Sequence, residues 1–364
     1  MKRLFILLCV VVLFFGCSIT ARAESDYATL VEKSGFGEFL EKQPKEIKEY
    51  FRKYDVDYSA QSVNALSGAT LFNIIGDFFT SGTKRVAAAL AVNIAVMLLW
   101  AVFYTFSTDN VSGVNIAFTA LLVLCTVVPV LETITAVSGA VKAGGVFMLS
   151  FVPIYFGIAA AAGEVSVAAS SGALLLAAAE VTVQIIAFAS VPVASAQLAL
   201  AVSGSLSEIS PAVRLSSALK KAVGYIMTFA FTVFLALLSI QTAINSAADT
   251  VTLKTLKFMV GSFVPVAGSA LSETVSVLGG SIKILQSGVG VYGIFAVLFT
   301  VGPTAAQLIV WRIGLYISRV AAEMLGVPQA AKTVAAVDDT LSLLLGVILF
   351  VGALFMIALA VTLG

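Results

Sequence analysis

The strongest constraint on this chain is a series of uninterrupted apolar runs, each close to the length of a bilayer crossing. Val86–Phe106, Ala222–Ile244, Val289–Trp311 and Leu341–Leu363 are the clearest, and Val114–Leu131 and Val146–Ala162 are shorter. A transmembrane helix needs about 20 apolar residues to cross a hydrocarbon core about 30 Å thick. Inside lipid every backbone N–H and C=O has to be bonded within the protein, so runs of this kind read as helices. Composition agrees, with 60% hydrophobic and 11% charged residues, where a soluble domain carries about 25% charged. The expected fold is an all-α polytopic membrane protein with some broken or re-entrant helices and a small exported N-terminal helical segment.

The charges are unevenly spread. Glu24 to Asp57 holds nine acidic and six basic residues, out of 21 Lys+Arg and 20 Asp+Glu in the whole chain. This divides the chain into a signal peptide over 1–23, an extracytoplasmic amphipathic helical segment over 24–85 and a multi-pass helical membrane domain over 86–364.

The first stretch has a basic start at Lys2 and Arg3, an apolar run from Leu4 to Phe15 and an A-x-A site at Ala21-Arg22-Ala23, the three parts of a secretory signal. Two other readings compete with it. One is an uncleaved anchor. The other is a lipoprotein site at Phe15-Gly16-Cys17, which Phe14 and Phe15 fit poorly. Cleavage after Ala23 predicts a mature chain that begins at Glu24 outside the cytoplasm. N-terminal sequencing of membrane-extracted protein checks this, and an intact Met1 or a lipid-modified Cys17 contradicts it.

Two apolar stripes follow. Ile47, Tyr50, Phe51 and Tyr54 recur at helical spacing, and so do Leu71, Ile74, Ile75, Phe78 and Phe79, with Lys84 and Arg85 after them. Such a face fits a helix lying on the outer leaflet. It fits equally a helix packed on the membrane domain, because periodicity does not name the apolar partner.

Much chemistry is excluded. Net charge is +1, so no basic face for nucleic acid stands out. There is no histidine, which removes the usual general base and most zinc sites. Cys9, Cys17 and Cys125 form no CxxC pair. No phosphate loop, G-x-S-x-G elbow or H-E-x-x-H helix occurs. No catalytic residue, cofactor or metal is expected.

Two segments depart from plain spans. Ala173–Ala201 contains Glu180, Gln184, Pro192 and Gln197, and Ser262–Lys283 contains Pro265, Gly268, Glu273, Gly279 and Gly280. Both carry Val-Pro-Val-Ala, at 191–194 and 264–267. Proline removes a donor and clashes with the preceding turn, so Pro192, Pro265 and Gly268 are candidate helix breaks. Paired broken segments point to transporter-like repeats, although Pro and Gly are also common in ordinary membrane helices. With all runs crossing, five basic residues fall inside and seven outside. With the two odd segments folded back the count is six on each side, which leaves orientation open. In Ser262–Lys283 two short arms around Gly268–Glu273 would place Lys257 and Lys283 on one side.

Glu180 follows seven apolar residues, Ala173–Ala179, with Gln184 at i+4 on the same face. An ionisable group inside a span usually faces a cavity or a partner. Glu180, Gln184 and Glu273 form the candidate intramembrane polar site, either a polar lining or a neutral acid held by a hydrogen bond. Aromatic residues Trp100, Tyr104, Tyr225, Tyr292 and Trp311 lie near run ends, where rings favour the interface. Small residues such as Ala87–Ala89, Ala159–Ala162 and Ala177–Ala179 let helices approach closely, which suits a compact bundle or a homo-oligomer.

From Thr250 to Gly293 the sequence reads TVTLKTLKFMVGSFVPVAGSALSETVSVLGGSIKILQSGVGVYG. This resembles the C-terminal half of the stage III sporulation protein AE family, in its TLKTLKF entry, F-V-P-V segment, ALSE turn, glycine pair and V-G-V-Y-G helix start. The likeness extends upstream through ISPAVRLSSALKKAVGYIMTF and SIQTAINSAADT. The resemblance implies a non-enzymatic multi-pass component of the mother cell–forespore channel complex, or feeding apparatus, in endospore formation. It implies residence in the outer forespore membrane made by the mother cell. It also implies partners among the other proteins of the same operon, and a forespore membrane partner. The alternative is a secondary transporter whose broken helices form its gate.

Overall fold

A computed structural model describes residues 41, 43–56, 68–106, 111–161, 165–206, 210–245 and 288–363. The described residues are helical, without a strand. A short α1 (Lys45–Lys53) precedes α2 (Gly68–Phe106), α3 (Val111–Ala161), α4 (Val165–Leu206), α5 (Ser210–Asn245), α6 (Gly288–Met324) and α7 (Pro328–Leu363). The six helices α2 to α7 contain stretches long and apolar enough to cross a membrane, so the protein is an all-α polytopic membrane protein.

The α6–α7 hairpin is the centre. Among the six spans, its two helices have the largest share of buried residues. Its turn is fixed by local chemistry. Val327 N–H donates to the Ala322 carbonyl at 3.0 Å and Gly326 N–H to that of Glu323 at 3.3 Å. Gly326 has φ +70°, the left-handed conformation that closes a helix end in this way. Pro328 then occupies the first turn of α7, where its missing N–H costs nothing.

The other helices pack around this hairpin: α2 on α6, α3 on both, α4 on α3 and α7, and α5 on α4 with a lighter touch on α7. Glycines set the spacing. Phe78 and Leu90 of α2 fill the space beside Gly302 and Gly314 of α6. From 78 to 90 and from 302 to 314 is twelve residues on each helix, so α2 runs parallel to α6 in constant register. Phe355 of α7 lies against Gly144 of α3, Phe151 of α3 against Gly293 of α6, and Val183 of α4 against Gly145. Without a Cβ the backbones approach closely, which favours helix association inside lipid.

Two expectations change. Val114–Leu131 and Val146–Ala162 are not separate spans, because α3 is one helix of 51 residues. The intervening stretch stays helical because Thr133, Ile134, Val137 and Val141 all turn into the core while Glu132 and Lys142 point outward. At 1.5 Å per residue α3 is about 75 Å long, more than twice a bilayer's hydrocarbon thickness. Of the aromatics placed at interfaces, Trp100, Trp311 and Tyr292 are instead buried, while Tyr104 and Tyr225 are exposed.

Pro192 lies inside α4, which continues to Leu206 on its far side. Pro265, Gly268 and Glu273, with the re-entrant arrangement expected around them, lie outside the described residues. The flanking residues Asn245 and Gly288 lie at the same end of the bundle. The Lys220–Asp339 and Phe231–Phe350 contacts set α5 parallel to α7, and α7 is antiparallel to α6.

The two stripes near the N-terminus bury their apolar faces against protein. Phe51 stacks on Tyr292 at 4.1 Å and Tyr50 on Phe299 at 5.2 Å, with Phe78 edge-on to Tyr50. Lys53 and the Tyr54 hydroxyl both donate to the Asp77 carboxylate, joining α1 to α2. The Lys53 bond, and then the Tyr54 bond, hold the Asp77 carboxyl below its ordinary value. Burial first, then the bond to Asp77, pushes the Tyr54 phenol up.

A depressed carboxylate stabilises the fold above its unfolded pKa, about 3.9, and the gain is lost as pH falls through the folded value. The docking of α1 is therefore expected to hold near neutrality and to loosen below about pH 4. Hydrogen exchange of residues 45–53 in detergent measures this, and exchange independent of acid pH contradicts it. Gly314→Val adds bulk where Leu90 sits and is expected to destabilise by about 1–3 kcal/mol. Gly139→Ala, which meets nothing within 4 Å, should leave thermal unfolding unchanged or raise its midpoint.

Candidate functional site

Polar chemistry gathers where the long apolar runs of α6 and α7 end. Arg312 of α6 donates from Nε to Asp338 Oδ1 at 2.8 Å and from Nη2 to Oδ2 at 3.3 Å. The next residue of α7, Asp339, accepts from Lys220 of α5 at 2.7 Å. Consecutive carboxylates thus tie α7 to the helices on either side. The forked Arg–carboxylate geometry fixes the rotation of α6 against α7 as well as their distance.

Inside this pair lies a layer of fully buried polar side chains. Trp311 and Ser318 are seven residues apart on the core face of α6, and Thr333 and Thr340 are seven apart on that of α7. The Arg312–Asp338 pair sets the hairpin register, which brings Trp311 level with Thr340 and Ser318 level with Thr333. Two flanking helices add one residue each. The α2–α6 register puts Asn93 beside Ser318, where Asn93 Oδ1 accepts from Thr126 of α3 at 3.2 Å. The Gly145–Val183 and Gly144–Phe355 contacts put Gln197 of α4 within one turn of Thr340. The layer is about 10 Å deep along the axis, seven residues of helix rise.

Five atoms in it have no hydrogen-bond partner among the described residues: Asn93 Nδ2, Gln197 Oε1, Trp311 Nε1, Ser318 Oγ and Thr340 Oγ1. A buried polar group left unpaired costs about 1–3 kcal/mol. Trp100 shows the usual solution, its indole N–H donating to Asn115 Oδ1 at 3.1 Å.

The residues expected from sequence do not form this layer. Gln184 is exposed on α4 beside Val181, Ile185 and Phe188, while Ala178, Thr182, Val183 and Ile186 face the core. Glu180 lies in α4 one turn before Gln184. Glu273 lies outside the described residues. Gln197 stood out as a polar residue in an apolar segment. Ser318 and Thr340 gave no signal beyond their seven-residue spacing from Trp311 and Thr333. Among the described residues no three His, Cys, Asp or Glu side chains are placed to hold a metal ion.

The sequence profile described as Stage III sporulation protein AE (spore_III_AE) matches residues 46–364. The chain belongs to this family. Its role is therefore one in sporulation, and the family is not a known enzyme family. A similar relative is the Stage III sporulation protein AE of Bacillus subtilis (strain 168), 26% identical over 149 residues. The matched stretch is 41% of this chain and 37% of the length of that relative. No solved structure matches. The family match spans α1 to α7, so the hairpin, its glycine contacts and the polar layer all lie within it.

Arg312→Met leaves the half-buried Asp338 without its forked hydrogen bonds and is expected to lower stability by about 1 kcal/mol. Adding Asp338→Leu should recover most of the loss. Thermal unfolding in detergent measures both, and a double variant no more stable than Arg312→Met contradicts the expectation.

Proposed function

We propose that this chain is a non-enzymatic, multi-pass component of the channel complex, or feeding apparatus, between mother cell and forespore. It resides in the outer forespore membrane with its N-terminal segment outside the mother-cell cytoplasm. Its partners are the other proteins of the same sporulation operon and a forespore membrane partner. The family match over residues 46–364 carries this reading.

The physical features agree with a platform role. The bundle is held by glycine contacts and by charged pairs between helices, and large apolar side chains lie on its outside. Phe188, Tyr225, Phe229 and Phe106 are all exposed large side chains, suited to lipid or to neighbouring membrane proteins.

The test is genetic. In an endospore-forming host lacking its own copy of this gene, late forespore gene expression and heat-resistant spores should be lost. Both should return when this chain is supplied in the mother cell. The chain, extracted from sporulating membranes, should co-purify with other membrane proteins of its operon. Normal spore yield without the gene, or rescue only when it is made in the forespore, sinks the proposal. Glu180→Gln is expected to support sporulation at normal protein level, since the amide keeps the shape of a neutral acid.

A further inference from the structure

The unpartnered atoms of the polar layer are chemically selective. Trp311 Nε1 and Asn93 Nδ2 can only donate, Gln197 Oε1 can only accept, and the hydroxyls of Ser318 and Thr340 can do either. All five belong to residues at most 1% exposed. Neighbouring core hydroxyls behave differently. Thr133, Thr182, Thr300 and Thr333 each turn back to the carbonyl four residues earlier. Ser318 and Thr340 do not, so their oxygens stay available to the layer.

Trp311 supplies a donor and Gln197 an acceptor within one turn of the same level, yet neither bonds the other. Two complementary groups separated by more than hydrogen-bond reach are the arrangement that a bridging molecule completes. Buried waters typically take two to four such partners. The charged groups nearby are paired with one another, Arg312 with Asp338, Lys220 with Asp339 and Arg319 with Glu323. The groups left over are neutral and of mixed sense, which matches a neutral hydrogen-bonding molecule rather than an ion.

We propose that the layer spanning Trp311, Thr340, Gln197, Ser318 and Asn93 is an internal binding site for water and for small neutral hydrogen-bonding solutes. It makes this level of the bundle, where the apolar runs of α6 and α7 give way to Arg312, Arg319, Lys332, Asp338 and Asp339, a wet, polar section. Water bound there bridges α2, α4, α6 and α7 and supplies the bonds that these helices do not supply each other.

Tryptophan fluorescence tests this directly. The chain has two tryptophans, so Trp100→Phe leaves Trp311 as the sole indole in the full-length protein in detergent or vesicles. The expected result is red-shifted emission that responds to transfer into D₂O. Adding Gln197→Met and Thr340→Val, which strip the layer of polar groups, should shift the emission to the blue and lower the unfolding midpoint. The proposal is overturned if Trp311 already emits in the blue, ignores D₂O, and the stripped variant is more stable.

Should the stripped variant fail to accumulate, Ser318→Cys is the second readout, with Cys9, Cys17 and Cys125 changed to alanine. The uncharged reagent methyl methanethiosulfonate should modify it in the folded protein, and failure to react overturns the site. Slowing of that reaction by urea or glycerol supports solute binding, and its absence overturns that half of the proposal. None of these measurements passes through spore formation, so this inference and the channel-complex reading fail separately.

Discussion

The architecture depends on glycine at the helix contacts. Helices in a bilayer gain little from apolar burial alone, since lipid is as apolar as leucine, so close van der Waals packing has to hold them. Here Gly302 and Gly314 admit Phe78 and Leu90, Gly144 admits Phe355 and Gly293 admits Phe151. Each contact seats a large side chain where a Cβ would stand. Gly302 and Gly314 lie twelve residues apart on α6, matching Phe78 and Leu90 on α2, so they determine register as well as distance. The chemistry of the polar layer follows from that register. Asn93 meets the level of Ser318 because Leu90 is seated at Gly314.

The α6–α7 hairpin is where packing, charge and polarity come together. Its turn closes on Gly326 and Pro328, its helices are clamped by Arg312 and Asp338, and its facing stripes carry Trp311, Ser318, Thr333 and Thr340. Further along α6, Tyr292 and Phe299 receive the aromatic face of α1. One helix therefore carries both the docking surface for the N-terminal segment and two residues of the polar layer, about 20 residues apart, or about 30 Å along its axis. The helices are long beside a bilayer. The 51 residues of α3 and 42 of α4 exceed what a hydrocarbon core can cover, so part of each stands in the headgroup region or beyond.

Membership of a sporulation family sets the context in which this bundle works. The polar layer adds a physical property to that picture. A scaffold needs only packed small-residue faces, whereas this bundle also retains fully buried donors and acceptors that its own side chains leave unmatched.

Much of the fold was legible in the sequence. Apolar length and the backbone's need for internal hydrogen bonds identify helices wherever they occur, so Val86–Phe106, Ala222–Ile244, Val289–Trp311 and Leu341–Leu363 each fall within a helix of the structure. The resemblance around Thr250 to Gly293 named the family correctly. The division between Leu131 and Val146 failed because Glu132 and Lys142 interrupt hydropathy without interrupting a helix whose other face is buried. The partner of the N-terminal stripes was undecided because an amphipathic face looks the same toward lipid and toward Tyr292 and Phe299. The polar layer could not be read as a site. Trp311, Thr340, Gln197 and Asn93 are far apart in the chain, and of these only Gln197 stood out within its own segment. Composition and local spacing set which segments are helices; only the glycine-seated registers between helices decided which side chains share a level, because that depends on contacts between residues the sequence does not place side by side.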